Sequence, residues 1–343
     1  MALSVKAVSQ LSNVSFSFFR YMYAGAAHAD NNEYGPCVTL WNYALRLKME
    51  KETLLSCDTA FTARAIVQLY VNIMFRYMNN PDPFDDGPLR FDDILTTSQY
   101  IRDGIDTALQ LLQHQPICQS QKDNFDIVLT TWIHLVHILL QLAESEIQMA
   151  SIFHEVMPMI SKPDVKLHKT GDSMLHMAVN SATTLHSNSF LDGNHEENNS
   201  PSGLQVFPSL PVTDFLLRCG HDIHAKNNLG ETPLHLSVKT ENFAPEVAKK
   251  LLDYGAHLDL PDLRDICPYD IIKAQKSSLK LNLVPYVSLK CLATQVIVRE
   301  RVPFTSQDLP WHLDQMVQMH LPNLPAISLL DLEINDSDLE DFQ

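Results

Sequence analysis

The residues from Asn228 to Asp259 constrain this chain more than any other stretch. They begin Gly230-Glu231-Thr232-Pro233-Leu234-His235-Leu236, continue through Val247-Ala248-Lys249-Lys250-Leu251-Leu252, and close on Tyr254-Gly255-Ala256. Pro233 suits the first position of a helix, where its missing N–H costs nothing and its fixed φ is already helical. Thr232 stands where a side-chain oxygen can cap that helix. Gly255 stands where a helix stops in a left-handed residue. The spacing predicts a turn, a short helix, a loop, a second helix and a glycine stop.

The unit recurs. Gly171-Asp172-Ser173-Met174-Leu175-His176-Met177-Ala178-Val179 matches the first helix, and Asp214-Phe215-Leu216-Leu217-Arg218-Cys219-Gly220 matches the second helix and stop. Downstream, Ile266-Cys267-Pro268-Tyr269-Asp270-Ile271-Ile272 is the next first helix. Pro233 to Pro268 and Gly220 to Gly255 are both steps of 35 residues. A Thr-Pro-Leu-His run in a unit of about 33 residues is the signature of the ankyrin repeat. The first copy is stretched: His176 to Gly220 is 44 residues, whereas His235 to Gly255 is 20. The excess, residues 188–211, is rich in Asn, Ser, Glu and Pro and reads as a solvent-side loop. Residues 163–278 thus hold two full repeats and a partial one. So short an array needs neighbouring helices to complete its core. His176 and His235 are expected to bond the capping residue or nearby backbone rather than to act on a substrate or a metal.

Upstream, residues 34–160 read as helices. Leu40, Trp41, Ala44 and Leu45 recur at helical spacing, as do Ala63, Ile66, Val67, Tyr70, Val71, Met74 and Phe75. Pro81-Asp82-Pro83 and Gly87-Pro88 interrupt the pattern, which resumes at Ile101, Ile105, Ala108, Leu109 and Leu112. Asp123 can cap the apolar helix that follows. Paired helices of this length suggest a tetratricopeptide-like domain. Trp41 fits either the first-helix Trp of such a repeat or a plain core position. Residues 1–33 continue no periodicity and are expected to be an irregular N-terminal tail. Their apolar part is broken by Ser15 and Ser17, unlike a secretory signal.

Composition narrows the function classes. The net charge of −16, from 25 basic and 41 acidic residues, argues against non-specific nucleic-acid binding. Six scattered cysteines without a C-x-x-C suit a reducing compartment. His134-x-x-His137 and His221-x-x-His224 stand without partners at ligand spacing, so no metal and no cofactor are expected. The apolar run Ile127 to Leu142 is shorter than the roughly 20 residues of a membrane span and reads as a buried helix. G-x-S-x-G, P-loop, G-x-G-x-x-G and zinc-protease signatures are all missing, so an enzyme is not expected.

The last third carries the functional content. Ser288 can cap a helix in which Leu289, Ala293 and Ile297 fall at i, i+4 and i+8 along one face. Leu309-Pro310-Trp311-His312-Leu313 opens another helix. On periodicity alone the pair could simply cap the ankyrin stack. Beyond it, residues 321–343 interleave acidic residues with Leu329, Leu330, Leu332, Ile334 and Leu339. They are expected to be an acidic disordered tail, with a short recognition helix as the alternative.

Gly171 to Asn180, the Phe215–Gly220 stop, Gly255-Ala256-His257, and above all Ser288-Leu289-Lys290-Cys291-Leu292-Ala293 followed by Leu309-Pro310 and Met319-His320, resemble the feminization (Fem) homologue family. Members of that family are substrate receptors of cullin-RING ubiquitin ligases. The resemblance runs from about Tyr34 to His320. It implies a VHL/SOCS-type box at residues 286–320. Leu289 would then insert into elongin C, with Ala293 and Ile297 on the same face. Leu309, Pro310 and Leu313 would meet the cullin. The usual elongin-binding pattern has Cys where this chain has Ala293. His312 replaces the second proline of the cullin-five type, which favours the cullin-two type. The family's N-terminal ankyrin array, which forms its pocket for C-terminal degrons, is expected to be missing before the helical segment, and the chain is then expected to be a docking-only fragment.

The expected fold is therefore all-α. It is a helical-repeat solenoid of tetratricopeptide-like helices, ankyrin repeats and a box. The expected role is a non-catalytic adaptor, cytoplasmic with the nucleus as a second location. Its partners would be elongin B/C, a cullin of the two type and, if a pocket for them exists, degron-bearing proteins, without nucleic acid or membrane. The alternative is an ankyrin scaffold outside any ligase.

Overall fold

The structure is a computed structural model that describes residues 16–31, 33–50, 53–79, 89–114, 118–185, 206–274, 283–300, 302–303 and 310–321. Those residues form an all-α helical-repeat solenoid, with a single isolated β-bridge between Lys166 and Ser173. Its first part comprises α1 (Phe16–Asp30), α2 (Tyr34–Met49), α3 (Cys57–Asn79), α4 (Phe91–His114), α5 (Gln119–Leu142) and α6 (Glu146–Ile160).

Helix α5 is the axis of the molecule. Phe125, Val128, Leu129, Trp132, Ile133, Leu135, Val136, Ile138 and Leu139 are all buried, so the helix is apolar nearly all round. Such a helix must be covered on every side. It packs against α3 and α4 on one side, α6 on another, and the first ankyrin unit on a third. By length and composition α5 could also cross a membrane, but 61% of its apolar window is buried inside the protein. Its start lies upstream of Asp123. The helix begins at Gln119, and the Cys118 N–H donates to Gln121 Oε1 at 3.1 Å.

Residues 1–33 were expected to be irregular, and α1 corrects this for the part described. Gly25 is the physical reason: a Cβ there would stand 2.3 Å from Trp41 Cδ1. Without one, α1 lies close on α2, burying Met22 and Ala26. Trp41 is itself buried, and its Nε1–H donates to the Met22 carbonyl at 3.1 Å.

The ankyrin segment contains α7 (Met174–Ala178), α8 (Leu210–Arg218), α9 (Pro233–Ser237), α10 (Pro245–Asp253) and α11 (Pro268–Ala274). Gly171, Gly220, Gly230 and Gly255 all take positive φ, at the turns and stops that the repeat requires. The solvent-side loop expected at 188–211 is corrected at its end. Phe207 is fully buried, and α8 already begins at Leu210 behind the Ser209 cap. His134 and His137 of α5 explain this: His134 lies edge-on to Phe207 with ring centroids 4.9 Å apart, and His137 Nδ1 meets Ser209 Oγ at 2.9 Å. Residues 186–205 lie outside the described residues, as does the acidic segment beyond Leu321.

The chain closes with α12 (Leu289–Arg299) and α13 (Trp311–His320), which pack on each other. Their buried Val317 lies outside the contiguous apolar core that spans the two helical arrays and ends near Leu258.

Candidate functional site

Helix α12 starts where its sequence dictates. The Ser288 Oγ accepts from the Cys291 N–H at 3.1 Å and satisfies one free donor of the first turn. The helix is then left with an uncovered apolar ridge. Leu289 is 84% exposed, Val296 50% and Leu292 44%, and Ala293 between them is exposed too. These four positions are i, i+3, i+4 and i+7, a single helical stripe. Ile297 is half-buried, so the exposed stripe runs through Leu292 and Val296 instead. At the start of α13, Pro310 is exposed, Trp311 is 74% exposed and Leu313 is half-buried. Leu309 lies outside the described residues. Scattered apolar residues are normal on a surface, whereas these four are contiguous on one short helix.

The opposite side of the α12–α13 pair faces the last ankyrin turn and is polar. His257 and Asp259 follow the Gly255 stop, Cys291 is in the first turn of α12, and His320 ends α13. The donor atoms of these four residues lie within 4.8 Å of one another. Cys291 Sγ is 3.3 Å from His257 Nδ1, and His320 Nε2 is 3.1 Å from Asp259 Oδ2. Burial alone would raise the Asp259 carboxyl, but the His257 and His320 rings beside it hold it well below the usual carboxylate range. Burial pushes the Cys291 thiol up, and Asp259 adds to that. His224 abuts the cluster, its ring edge-on to His257 with centroids 4.8 Å apart. Sequence spacing could not reveal this group, because its members come from three separate elements. The only local signal was the His257-x-Asp259 pair.

The repeat histidines behave as their sequence position implies. His176 Nδ1 meets the Ser173 hydroxyl at 2.8 Å and its Nε2 meets the Glu231 carbonyl at 2.9 Å. His235 Nδ1 meets the Thr232 hydroxyl at 2.8 Å. Both are wholly buried ties between backbone segments.

Comparison with known proteins agrees with this organisation. The ankyrin repeat family matches residues 229–263. Protein fem-1 homolog A of Rattus norvegicus is 28% identical over 305 residues, covering 87% of this chain and 42% of the relative. Protein fem-1 homolog C of Homo sapiens is 25% identical over 306 residues, covering 87% of this chain and 44% of the relative. Protein fem-1 homolog A of Danio rerio is 24% identical over 303 residues. The chain thus spans about two-fifths of the length of these relatives. The similarity covers 87% of the chain and is to fem-1 homologues throughout.

Proposed function

We propose that this relative of the fem-1 homologues is a non-catalytic adaptor of a cullin-RING ubiquitin ligase of the cullin-two type. It docks on elongin B/C through the exposed stripe of α12, led by Leu289. The single observation that carries the reading is that stripe. An apolar side chain 84% exposed at the head of a capped helix, with three more apolar residues behind it, has the form of an interface anchor. Leu309, Pro310 and Leu313 meet the cullin beside it. The rest of the chain positions this plug, and ubiquitin transfer belongs to other subunits. Proteins bearing C-terminal degrons are clients only if a pocket for them exists; without one the chain is a docking-only fragment. Mixing the purified chain with elongin B/C and separating by gel filtration tests the reading. Co-elution is expected, with loss when Leu289→Ala, Leu309→Ala and Pro310→Ala are combined. Undiminished capture by the triple variant overturns it.

A second reading, an ankyrin scaffold outside any ligase, has the repeat match at 229–263 in its favour. It predicts no co-elution with elongin B/C. Binding would then map to the exposed turn residues Leu229 and Leu263.

A further inference from the structure

We propose that His257, Asp259, Cys291 and His320 form a four-coordinate zinc site that fastens the α12–α13 pair to the last ankyrin turn. A tetrahedral zinc with bonds of about 2.0–2.3 Å holds its donors roughly 3.3–3.6 Å apart. In this cluster the separations include 3.1 Å for His320 Nε2 to Asp259 Oδ2, 3.3 Å for Cys291 Sγ to His257 Nδ1, and 3.7 Å for His257 Nδ1 to Asp259 Oδ1. All four donors lie within 4.8 Å of one another, so the group closes to tetrahedral spacing by short movements of its side chains.

Two further observations point to a ligand rather than to a closed hydrogen-bond network. His320 is 3% exposed, and its Nε2 and Asp259 Oδ2, both buried, meet as an ion pair 3.1 Å apart whose geometry makes no hydrogen bond. Two adjacent buried polar atoms that attract without a hydrogen bond between them leave part of their desolvation cost uncovered. A cation shared between them removes that cost. The other ring nitrogen of His320 is already fixed: Nδ1–H donates to the Met316 carbonyl at 2.7 Å. That bond turns the Nε2 lone pair toward the cluster, as the outer contact of a metal-ligating histidine does.

The donor set selects the metal. One thiolate, one carboxylate and two neutral imidazoles carry a charge of −2, which a divalent ion cancels. A mixed sulfur and nitrogen set at tetrahedral spacing suits zinc and excludes the hard oxygen-seeking cations. On binding, the Cys291 thiol gives its proton to solvent and its sulfur becomes a metal ligand. With all four positions filled by protein the site is structural. The box needs such an attachment, because Val317 and its neighbours do not join the contiguous apolar core. The Tyr286 hydroxyl, donating to Asp253 at 2.6 Å, is a further polar tie in this region.

The test uses the full chain, metal analysis and cobalt as a spectroscopic substitute. About one zinc per purified chain is expected, falling to background in Cys291→Ser and in His320→Asn. Replacement by Co²⁺ is expected to give the intense visible bands of a tetrahedral ion, with a thiolate-to-metal charge-transfer band that Cys291→Ser removes. If a variant fails to fold, the cobalt spectrum of the unaltered chain decides alone. A weak octahedral spectrum without the thiolate band overturns the proposal. So does zinc that persists at full stoichiometry in Cys291→Ser. None of these readouts involves elongin, so failure here and failure of the adaptor reading are separable.

Discussion

His235 in one ankyrin unit donates from Nε2 to the Ile266 carbonyl in the next, 3.2 Å away. Its Nδ1 accepts from the backbone N–H of Thr232 at 2.9 Å and meets the Thr232 hydroxyl at 2.8 Å. One neutral ring therefore caps its own helix and ties two repeats together. His176 does the same for the preceding pair through Glu231. A ring that accepts at one nitrogen and donates at the other cannot take a second proton without losing the cap.

Acid should therefore loosen the array. Burial drives His235 down to about 4 and His134 to about 3, against a value near 6.5 when unfolded. Below 6.5 the unfolded chain binds protons that the folded chain refuses. The stability these rings contribute is intact above that pH and is lost as pH falls toward 4. Each ring can cost up to about 1.4 kcal/mol per pH unit in this window. Urea unfolding at pH 7.5 and 5.5 measures the drop, and His235→Gln should shrink it. Equal stability at both values would contradict the assignment.

Gly230 should not tolerate a side chain. Its φ is +75°, and a Cβ would lie 2.9 Å from the backbone nitrogen of Leu263 in the next repeat. Strain and the crowded turn together should cost about 2 kcal/mol or more in Gly230→Ala. Gly35, with nothing within 4 Å of an added Cβ and a place in α2, is the control. Gly35→Ala should be neutral or stabilising by about 0.5–1 kcal/mol. Thermal melts monitored by circular dichroism distinguish the two.

Glu155 fastens α6 to α4. Only 1% exposed, it accepts from Ser98 Oγ at 2.9 Å and pairs with Arg102. Removing it leaves a partly buried guanidinium short of a partner. Glu155→Ala should destabilise by about 3 kcal/mol. Arg102 keeps Asp103 as a second partner, which limits that cost, whereas Arg102→Ala strands a carboxylate that is 1% exposed and should cost at least as much. A double-mutant cycle in denaturant should show coupling between the two sites, and strict additivity would contradict the pair.

Features written in local chemistry were legible in the sequence. Pro233, Thr232 and Gly255 each fix their own backbone, so the ankyrin units could be read from spacing alone. Helix α1 could not. Its place depends on Gly25 meeting Trp41 across a turn, and a missing Cβ carries no periodic signal. The exposed stripe was half legible. Leu289 and Ala293 lie on it, but Ile297 turns partly inward and Val296 takes its place. A strict i+8 step drifts about 80° round a helix of 3.6 residues per turn, which accounts for the miss. The polar cluster under α12 and α13 was invisible, because only the fold brings Cys291 and His320 to His257.

The affinity of the chain for elongin B/C, measured by calorimetry with and without Leu289→Ala, tests the central claim most directly. The account predicts measurable binding that weakens by about 2 kcal/mol, roughly thirtyfold, when the exposed leucine is trimmed. Absence of binding by the unaltered chain, or the same affinity for both proteins, would contradict it.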